Sequence, residues 1–372
     1  MLCMILVSCT GQKTGKENDN NDKIAIEVGE IKFPPQDVLQ LKSYYLSSSV
    51  HVDSIDYLIG YNYRLHSLDC MNLKSKSVTQ IVLPGDGPDA IVRLSGIYAQ
   101  SLDSVWISDE SERAFLIDSV GTIKRMIDLK KYLEDQEQLL INTNYAMFTS
   151  HLFYNASRHS LMFLVKHTPS NTFIVKEAFI DEVGKMATYQ LSSSKVVPDM
   201  SKGYAYINFP NVNFVGENIV YNYPVESSIY MLDIRTNERK YILADSHYTS
   251  NIIEKCMTSG DYATLEKHWL ENSHFYDIMY LPKYKIYARL HADKVDFDEK
   301  KGMEKLINER DLYLMLFDEN MEKIGETKLS NCRYSPFTSW NATYGGIALF
   351  VDNVLDEKNN TDDLTIDIIS LK

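Results

Sequence analysis

The sequence predicts an all-β fold, a six-bladed β-propeller closed by the N-terminal strand, with short helical insertions between blades. Three observations support it. An apolar strand that ends in Asp, followed by a polar turn and a second strand, recurs five times. The copies lie about 50 residues apart, a period that is typical of propeller blades. Tyr and Phe, which suit strands, number 25 and 14.

The repeated unit has a shared physical cause. An Asp at the end of a strand can accept hydrogen bonds from backbone N–H groups two residues on, which starts a turn. Gly and Asn supply the positive φ angles that hairpins need. A further strand precedes each pair, as in the matching Asp53-Ser54-Ile55 and Asp103-Ser104-Val105. The strands that end in Asp are 65–69, 115–118, 179–181, 230–233 and 314–318.

A sixth unit fits at the end of the chain, with strands over 346–351 and 364–371. Residues 24–33 alternate apolar and polar side chains, so they can supply its outer strand and remove an open sheet edge. Two unrelated all-β domains, or five or seven blades, are the alternatives.

Three stretches between the units are insertions. Residues 130–140 and 252–272 are predicted to form short helices, the second capped by Asp261. The charged residues 293–310 are predicted to form a long exposed hairpin or loop.

The N-terminus has the parts of a secretory signal. An apolar stretch ends in Ser8-Cys9 and is followed by a polar tether. We therefore predict a signal-peptide remnant over 1–8, a lipid anchor and tether over 9–22, and the propeller over 23–372. A positively charged segment does not precede Leu2. One alternative is that the true start of the chain lies further upstream. The other is that the terminus is simply apolar and carries a cysteine by chance.

Composition narrows the function classes. The net charge of −13 disfavours nucleic acid as a partner, because phosphate binding needs a basic surface. Cys70, Cys256 and Cys332 are far apart and form no C-x-x-C pair. This spacing disfavours a disulfide framework or a zinc cluster and favours buried thiols.

At this point the chain resembles an uncharacterised domain-of-unknown-function family of bacterial envelope lipoproteins with a six-bladed, NHL/TolB-like propeller. The resemblance is carried by Leu6-Val7-Ser8-Cys9, similar to a lipobox, by the loop 83–91 with its Gly85-Asp86-Gly87-Pro88, and by the blade pattern. It implies cleavage before Cys9, lipid attachment there, and a location in the cell envelope. It implies no reaction and no catalytic residue.

A propeller's functional residues usually lie where loops meet at one end of the central channel. The ligand-binding candidates by position are Asp89, Arg93, Asn211, Asn213, Arg289, and 334–341 with Trp340. Arg289 lies within a predicted strand, so it needs either a wet channel or a partner, the partner being a neighbouring blade. No cofactor is predicted, although converging acid and amide oxygens could hold Ca²⁺.

Three functions follow from these observations. The first is a membrane-anchored propeller that binds an envelope protein or a carbohydrate-type ligand, since no catalytic motif is present. The second is a metal-assisted hydrolase or lactonase on sugar-derived material, which rests on fold analogy. The third is a subunit of an envelope complex, with an exposed apolar patch around Trp269 as the place of contact.

Overall fold

Six antiparallel sheets arranged as a six-bladed β-propeller make up the described part of the protein. The structure is a computed structural model, and it describes residues 25–35, 39, 41–140, 152–182, 184–196, 209–256, 261–336, 338–358 and 362–372. The predicted signal remnant at 1–8 and the anchor and tether at 9–22, with Cys9, lie outside the described residues. Among the described residues, no helix is long and apolar enough to cross a membrane.

Blades 1, 2 and 3 follow one another along the chain, and each runs from the channel outwards. Blade 1 has β2 (Ser47–Val52), β3 (Ile55–Asn62), β4 (Ser67–Asn72) and β5 (Val78–Val82). Blade 2 has β6 (Leu94–Ser101), β7 (Ser104–Asp109), β8 (Arg113–Ile117) and β9 (Ile123–Asp128). Blade 3 has β10 (Glu137–Leu139), β11 (Phe153–Asn155), β12 (Ser160–His167), β13 (Thr172–Phe179) and β14 (Met186–Gln190).

Blades 4, 5 and 6 complete the ring. Blade 4 has β15 (Asn211–Val215), β16 (Asn218–Asn222), β17 (Ile229–Asp233) and β18 (Arg239–Ile242). Blade 5 has β19 (His274–Leu281), β20 (Ile286–Ala292), β21 (Leu312–Phe317) and β22 (Lys323–Lys328). Blade 6 has β23 (Trp340–Ala342), β24 (Ile347–Phe350), β25 (Leu364–Leu371) and, outermost, β1 (Ile26–Phe33).

The N-terminal strand closes the ring, as predicted. β1 pairs antiparallel with β25 from Ile26 opposite Leu371 to Phe33 opposite Leu364. Arg333 stabilises the pairing of β1 with β25, because its guanidinium donates to the buried Asp367 at 2.5 and 2.9 Å and to Glu30 of β1 at 2.9 Å. The two ends of the described chain are thus joined by backbone pairing and by an ion pair.

The core is divided among the blade interfaces. The described residues contain six clusters of buried apolar side chains, and each cluster lies between one pair of neighbouring blades. Every blade therefore buries both of its faces. The strands at the centre of a blade are accordingly apolar on both sides, as in β21 with six consecutive buried residues.

Asp residues at the ends of third strands start the turns, as predicted. The side chains of Asp118, Asp233 and Asp318 each accept hydrogen bonds from the backbone N–H two residues on and from a second N–H one or two residues further. These carboxylates replace backbone partners that the chain loses where each strand ends.

Two members of the predicted repeat differ. Asp69 does not end a strand but lies buried within β4, where it accepts from the hydroxyl of Tyr44 at 2.7 Å. Asn72 ends β4 and accepts from the N–H groups of the turn that follows. Asp181 is exposed and pairs with Arg125 at 3.1 Å. The predicted strand over 65–69 is therefore wrong in its end point, because β4 continues to Asn72 and an amide side chain can start a turn as a carboxylate does.

The insertions were predicted in part. Helix α1 (Tyr262–Leu270) begins after Asp261, which occupies the N-cap position as expected but makes no side-chain capping hydrogen bond. The helix predicted over 130–140 is instead a short 3₁₀ turn (Leu129–Tyr132) followed by β10. The predicted loop 293–310 contains helix α2 (Met303–Asn308), which buries Leu306 and Ile307. Its apolar residues at i, i+3 and i+4 form one helical face, a signal that the surrounding charges obscured.

Candidate ligand-binding cavity

A cavity of about 410 Å³ lies in the central channel. The first strands of all six blades, or the turns next to them, contribute to its wall. The lining residues are Ser47, Ser48, Ser49, Ile97, Tyr98, Leu152, Phe153, Asn213, Phe214, Val215, Gly216, Asp277, Met279, Tyr280, Pro282, Trp340, Asn341 and Ala342.

The cavity has a buried end and an open end. Ser47, Asp277 and Trp340 are buried, whereas Gly216 and Pro282 are exposed at the turns that follow the first strands of blades 4 and 5. The mouth therefore lies at the end of the ring that carries the turns between first and second strands. Helices α1 and α2 precede a first strand and link a second to a third strand, so they lie at the opposite end.

One wall is polar and crosses the seam between blades 1 and 6. The amide of Asn341 donates to the hydroxyl of Ser47 at 2.6 Å. The Ser47 hydroxyl also meets that of Ser339 at 2.5 Å, and Ser49 donates to the carbonyl of Ala342 at 2.5 Å. These bonds cross between two inner strands and hold the serine side chains in place at the channel.

Asp277 and Trp340 form the buried end. The indole N–H of Trp340 donates to Oδ1 of Asp277 at 2.9 Å, and the ring edge packs against Tyr276 with centroids 4.6 Å apart. Because the hydrogen bond fixes the indole, its face is held in one orientation. A carboxylate beside a fixed aromatic face is an arrangement that can grip a ligand with both polar and apolar surfaces.

The opposite wall is aromatic and comes from blades 2, 3 and 4. Tyr98 meets Phe153 edge-on with centroids 5.0 Å apart, and Phe153 stacks on Phe214 at 4.7 Å. Burial raises the pKa of Tyr98, so its hydroxyl stays protonated as a possible hydrogen-bond donor. The cavity thus presents hydroxyl and amide groups on one side and aromatic faces on the other.

The charges of the wall restrict the ligand. Among the lining residues, Asp277 carries the one carboxylate, and the set includes no Lys, Arg or His. An anion would be repelled by this carboxylate without a cation to bind it. The cavity therefore suits a neutral or positively charged polar molecule.

The predicted binding residues fall into different places. Trp340, Asn213 and Asn341 line the cavity. Asn211 starts the same strand as Asn213 but is buried, and its amide donates to the carbonyl of Phe275 at 3.0 Å. It therefore ties blade 4 to blade 5 instead of facing the cavity.

Asp89 and Arg93 lie in the loop between β5 and β6 and are both exposed. Arg93 is 3.6 Å from Glu110. This loop enters a first strand at its start, so it lies at the end of the ring away from the mouth. The prediction assumed that the loops between blades lie at the functional end of the ring. The mouth lies at the other end, so these two residues are remote from the cavity.

Arg289 lies in the interface between blades 4 and 5. It is fully buried and donates to the carbonyls of Ser227 at 2.6 Å and Ala244 at 2.9 Å, with its guanidinium 4.8 Å from the ring centre of Phe275. Burial lowers its pKa to about 9. Of the two alternatives, pairing with a neighbouring blade is the one that the structure shows.

Most of the lining residues were not among the predicted site residues. Ser47 to Ser49, Phe153, Phe214 and Asp277 lie on the innermost strands, which lack the apolar run ending in Asp that marks the third strands. Placing the first strand by counting back from each recognised pair would have found them.

Other predicted features are also settled by burial. Trp269 of α1 is buried under Arg310, whose guanidinium is 5.0 Å from its ring centre, so this tryptophan forms no exposed patch. Cys70 is buried, which raises the pKa of its thiol to about 12, Cys256 is buried as well, and the described cysteines form no disulfide. Within the described ranges no group of three His, Cys, Asp or Glu side chains is placed to hold a metal ion.

Fold and cavity define the class of the protein: a six-bladed propeller with a central pocket. Residues 17–328 match the family described as "Domain of unknown function (DUF4221)", and the chain belongs to that family. This confirms the family and propeller that the sequence resembled. A search of curated proteins finds no match.

Two of the solved structures that resemble this chain cover almost all of it. One, from Bacteroides vulgatus ATCC 8482, is described as a member of the DUF4221 family; it is 14% identical, with a TM-score of 0.76 over 95% of this chain and 99% of that one. The other, a putative exported protein from Bacteroides fragilis NCTC 9343, is 12% identical, with a TM-score of 0.53 over 94% and 97%.

Proposed function

We propose that this protein is an extracytoplasmic binding protein that holds a small saccharide in its central cavity. The observation that carries the proposal is the pairing of Asp277 with Trp340 at the buried end, facing the stacked rings of Phe153 and Phe214. Sugars have apolar faces that pack on aromatic rings and hydroxyl edges that bond to carboxylates, hydroxyls and amides.

Size and charge agree with this ligand class. A cavity of about 410 Å³ is within the range of ligand pockets. The serine and amide groups on the seam between blades 1 and 6 can both donate and accept hydrogen bonds, which suits hydroxyl groups. The single carboxylate favours neutral or amino sugars over uronic acids and sugar phosphates.

The proposed location depends on the N-terminal segment. Cleavage before Cys9 and lipid attachment to its sulfur would anchor the propeller to an envelope membrane through the tether 9–22. The similar fold of a putative exported protein supports this location. In that setting the protein would capture saccharides, or present them to an envelope protein, outside the cytoplasm.

Titration with defined sugars tests the binding proposal. We would measure fluorescence and heat while adding neutral mono- and disaccharides, an amino sugar and a uronic acid. Trp340 lines the cavity and the other two tryptophans, Trp106 and Trp269, do not, so binding should change the emission of Trp340. We expect neutral or amino sugars to bind and the uronic acid to bind more weakly.

Two variants assign the signal to the cavity. Asp277→Asn should weaken binding about tenfold or more, because it removes the charge from a ligand-facing group. Asp296→Asn, an exposed change at the end away from the mouth, should leave the affinity unchanged. Equal affinities of the two variants, or no binding of any sugar to the folded wild type, would contradict the proposal.

Calcium and the anchor have their own experiments. Repeating the titration with Ca²⁺ and with chelator shows whether affinity depends on the metal, a possibility that the sequence left open. The hypothesis of a metal-assisted hydrolase or lactonase stays an untested prediction.

Expressing wild type and Cys9→Ala from the natural start, then separating detergent and aqueous phases, tests lipid attachment. Identical partitioning of the two would rule it out.

A further inference from the structure

A chain of polar groups lies apart from the cavity, on the face of blade 5 that meets blade 4. The hydroxyl of Thr249 is 3.2 Å from Nδ1 of His291, and Nε2 of the same ring is 2.8 Å from Oε1 of Glu326. These residues come from the loop after β18, from β20 and from β22. We propose that Thr249 is an activated hydroxyl that accepts acyl groups from reactive esters, with His291 as its base.

The imidazole is held in one orientation. His291 is fully buried, and its ring stacks between Phe275 and Tyr313, with centroids 5.5 and 5.0 Å away. Burial lowers its pKa, against the hydrogen bond to Glu326 that raises it, and this favours the neutral ring. A neutral imidazole has one N–H. With that N–H directed at the carboxylate, Nδ1 is left to accept the proton of Thr249.

The carboxylate is prepared for this role. Glu326 is fully buried and accepts from the hydroxyl of Ser246 at 2.6 Å and from the backbone N–H of His247 at 3.0 Å, in addition to His291. Burial alone would raise its pKa, but these donors lower it to about 2. The negative charge therefore persists and stabilises the imidazolium that would form when Thr249 gives up its proton.

Thr249 itself is placed for reaction. It is half-buried, and it follows Tyr248, which is exposed and stacks on Tyr313 with centroids 5.0 Å apart. This partial exposure gives a substrate the access that a nucleophile needs. The same order of hydroxyl, imidazole and carboxylate activates serine in acyl transfer, and a threonine hydroxyl has the same attacking oxygen.

The proposed step is the transfer of an acyl group from the ester to Thr249. Oγ1 of Thr249 attacks the carbonyl carbon of the ester, its proton passes to Nδ1 of His291, and the bond to the leaving oxygen breaks. The leaving oxygen takes up that proton, which restores the neutral ring. The products are an acyl ester on Thr249 and a free alcohol or phenol, and no oxidant or reductant is required.

Intact-mass spectrometry after incubation with p-nitrophenyl acetate tests the proposal on the full propeller, followed by peptide mapping. We expect one acetyl group on Thr249. Thr249→Val should reduce labelling at least about tenfold, since it removes the nucleophile, while Thr249→Ser should retain it. Thr264→Val is the matched control, because Thr264 is equally half-buried but its hydroxyl bonds to Asp261 and not to an imidazole.

Glu326→Gln addresses the base without removing the nucleophile. It should slow acetylation, and a melting curve of the same sample separates a loss of reactivity from a loss of fold. Absence of an adduct on folded wild type would overturn the proposal, as would an adduct that survives in Thr249→Val or disappears in Thr264→Val. The sugar-binding proposal is unaffected by any of these results, because none of the changed residues lines the cavity.

Discussion

The interfaces between blades 1 and 2 and between blades 4 and 5 are built differently. The first is filled by apolar side chains such as Ile59, Ile107 and Phe115, all fully buried. The second combines an apolar cluster with the buried Arg289, His291 and Glu326 of blade 5. Both interfaces contain a buried charge, but Asp109 of the first pairs with Arg113 of its own blade at 2.7 Å, whereas Arg289 of the second bonds to two carbonyls on the side of blade 4.

The difference corresponds to what each interface must position. The loop that follows β18 passes over the second interface, and it is bonded to blade 5 through its Ala244 carbonyl, its Ser246 hydroxyl and its His247 N–H. Apolar contacts are non-directional, so they stabilise the packing of two blades without fixing the conformation of a loop. Hydrogen bonds from a loop to buried charged side chains do fix its conformation. The polar interface therefore holds Thr249 and its neighbours in a single arrangement.

The largest expected effect comes from removing the buried guanidinium. Arg289→Ala should lower the free energy of unfolding by about 3–5 kcal/mol, because it leaves two carbonyls without their donor and a void between Phe275 and Phe317. Denaturant unfolding measures it. Arg289→Met fills part of the void and should recover part of the loss. A cost under about 1 kcal/mol for Arg289→Ala would mean that apolar packing alone holds this interface.

Acid should loosen the polar interface next. The pKa of Glu326 falls from the ordinary 4.5 to about 2 in the folded chain, and burial lowers the pKa of His291. At acidic pH the unfolded chain binds more protons at both sites, so stability falls as the pH drops. The decline starts near the ordinary pKa of histidine and ends near the folded pKa of Glu326. For Glu326 it reaches about 3 kcal/mol.

The control for the acid effect is Glu326→Gln, which cannot titrate. Its unfolding free energy should be lower than that of wild type at neutral pH and should change less between about pH 5 and pH 2. Parallel profiles for the two chains would place the acid-sensitive groups elsewhere.

Much of the ring was predictable from the sequence because third strands carry a local signal. The Asp that ends each of several third strands bonds the turn that follows it, so Asp118, Asp233 and Asp318 mark blades without any tertiary information. The outer strand supplied by the N-terminus was predictable from its alternation. In blade 1 the same signal misled, because Asn72 starts the turn and Asp69 bonds to Tyr44 inside the sheet.

The cavity was less predictable because its residues are defined by the ring and not by local pattern. Asp277 and Trp340 are 63 positions apart and meet only where the first strands of blades 5 and 6 lie side by side. Which end of the channel is open depends on which loops pack over it and which stay short. No local pattern in 83–93 shows that this loop lies away from the mouth. Thr249, His291 and Glu326 likewise meet through three separate elements.

The smallest expected effect tests whether the apolar parts of the two interfaces are equivalent. Ile107→Val in the first and Ile229→Val in the second each delete one methylene group from a fully buried side chain. Each should lower the free energy of unfolding by about 0.5–1.5 kcal/mol, and by similar amounts, since burial of apolar surface does not depend on neighbouring charges. Denaturant curves with equal slopes measure both. A much larger cost for Ile229→Val would mean that this methylene also positions the polar groups beside it, so the two kinds of contact would be one coupled unit.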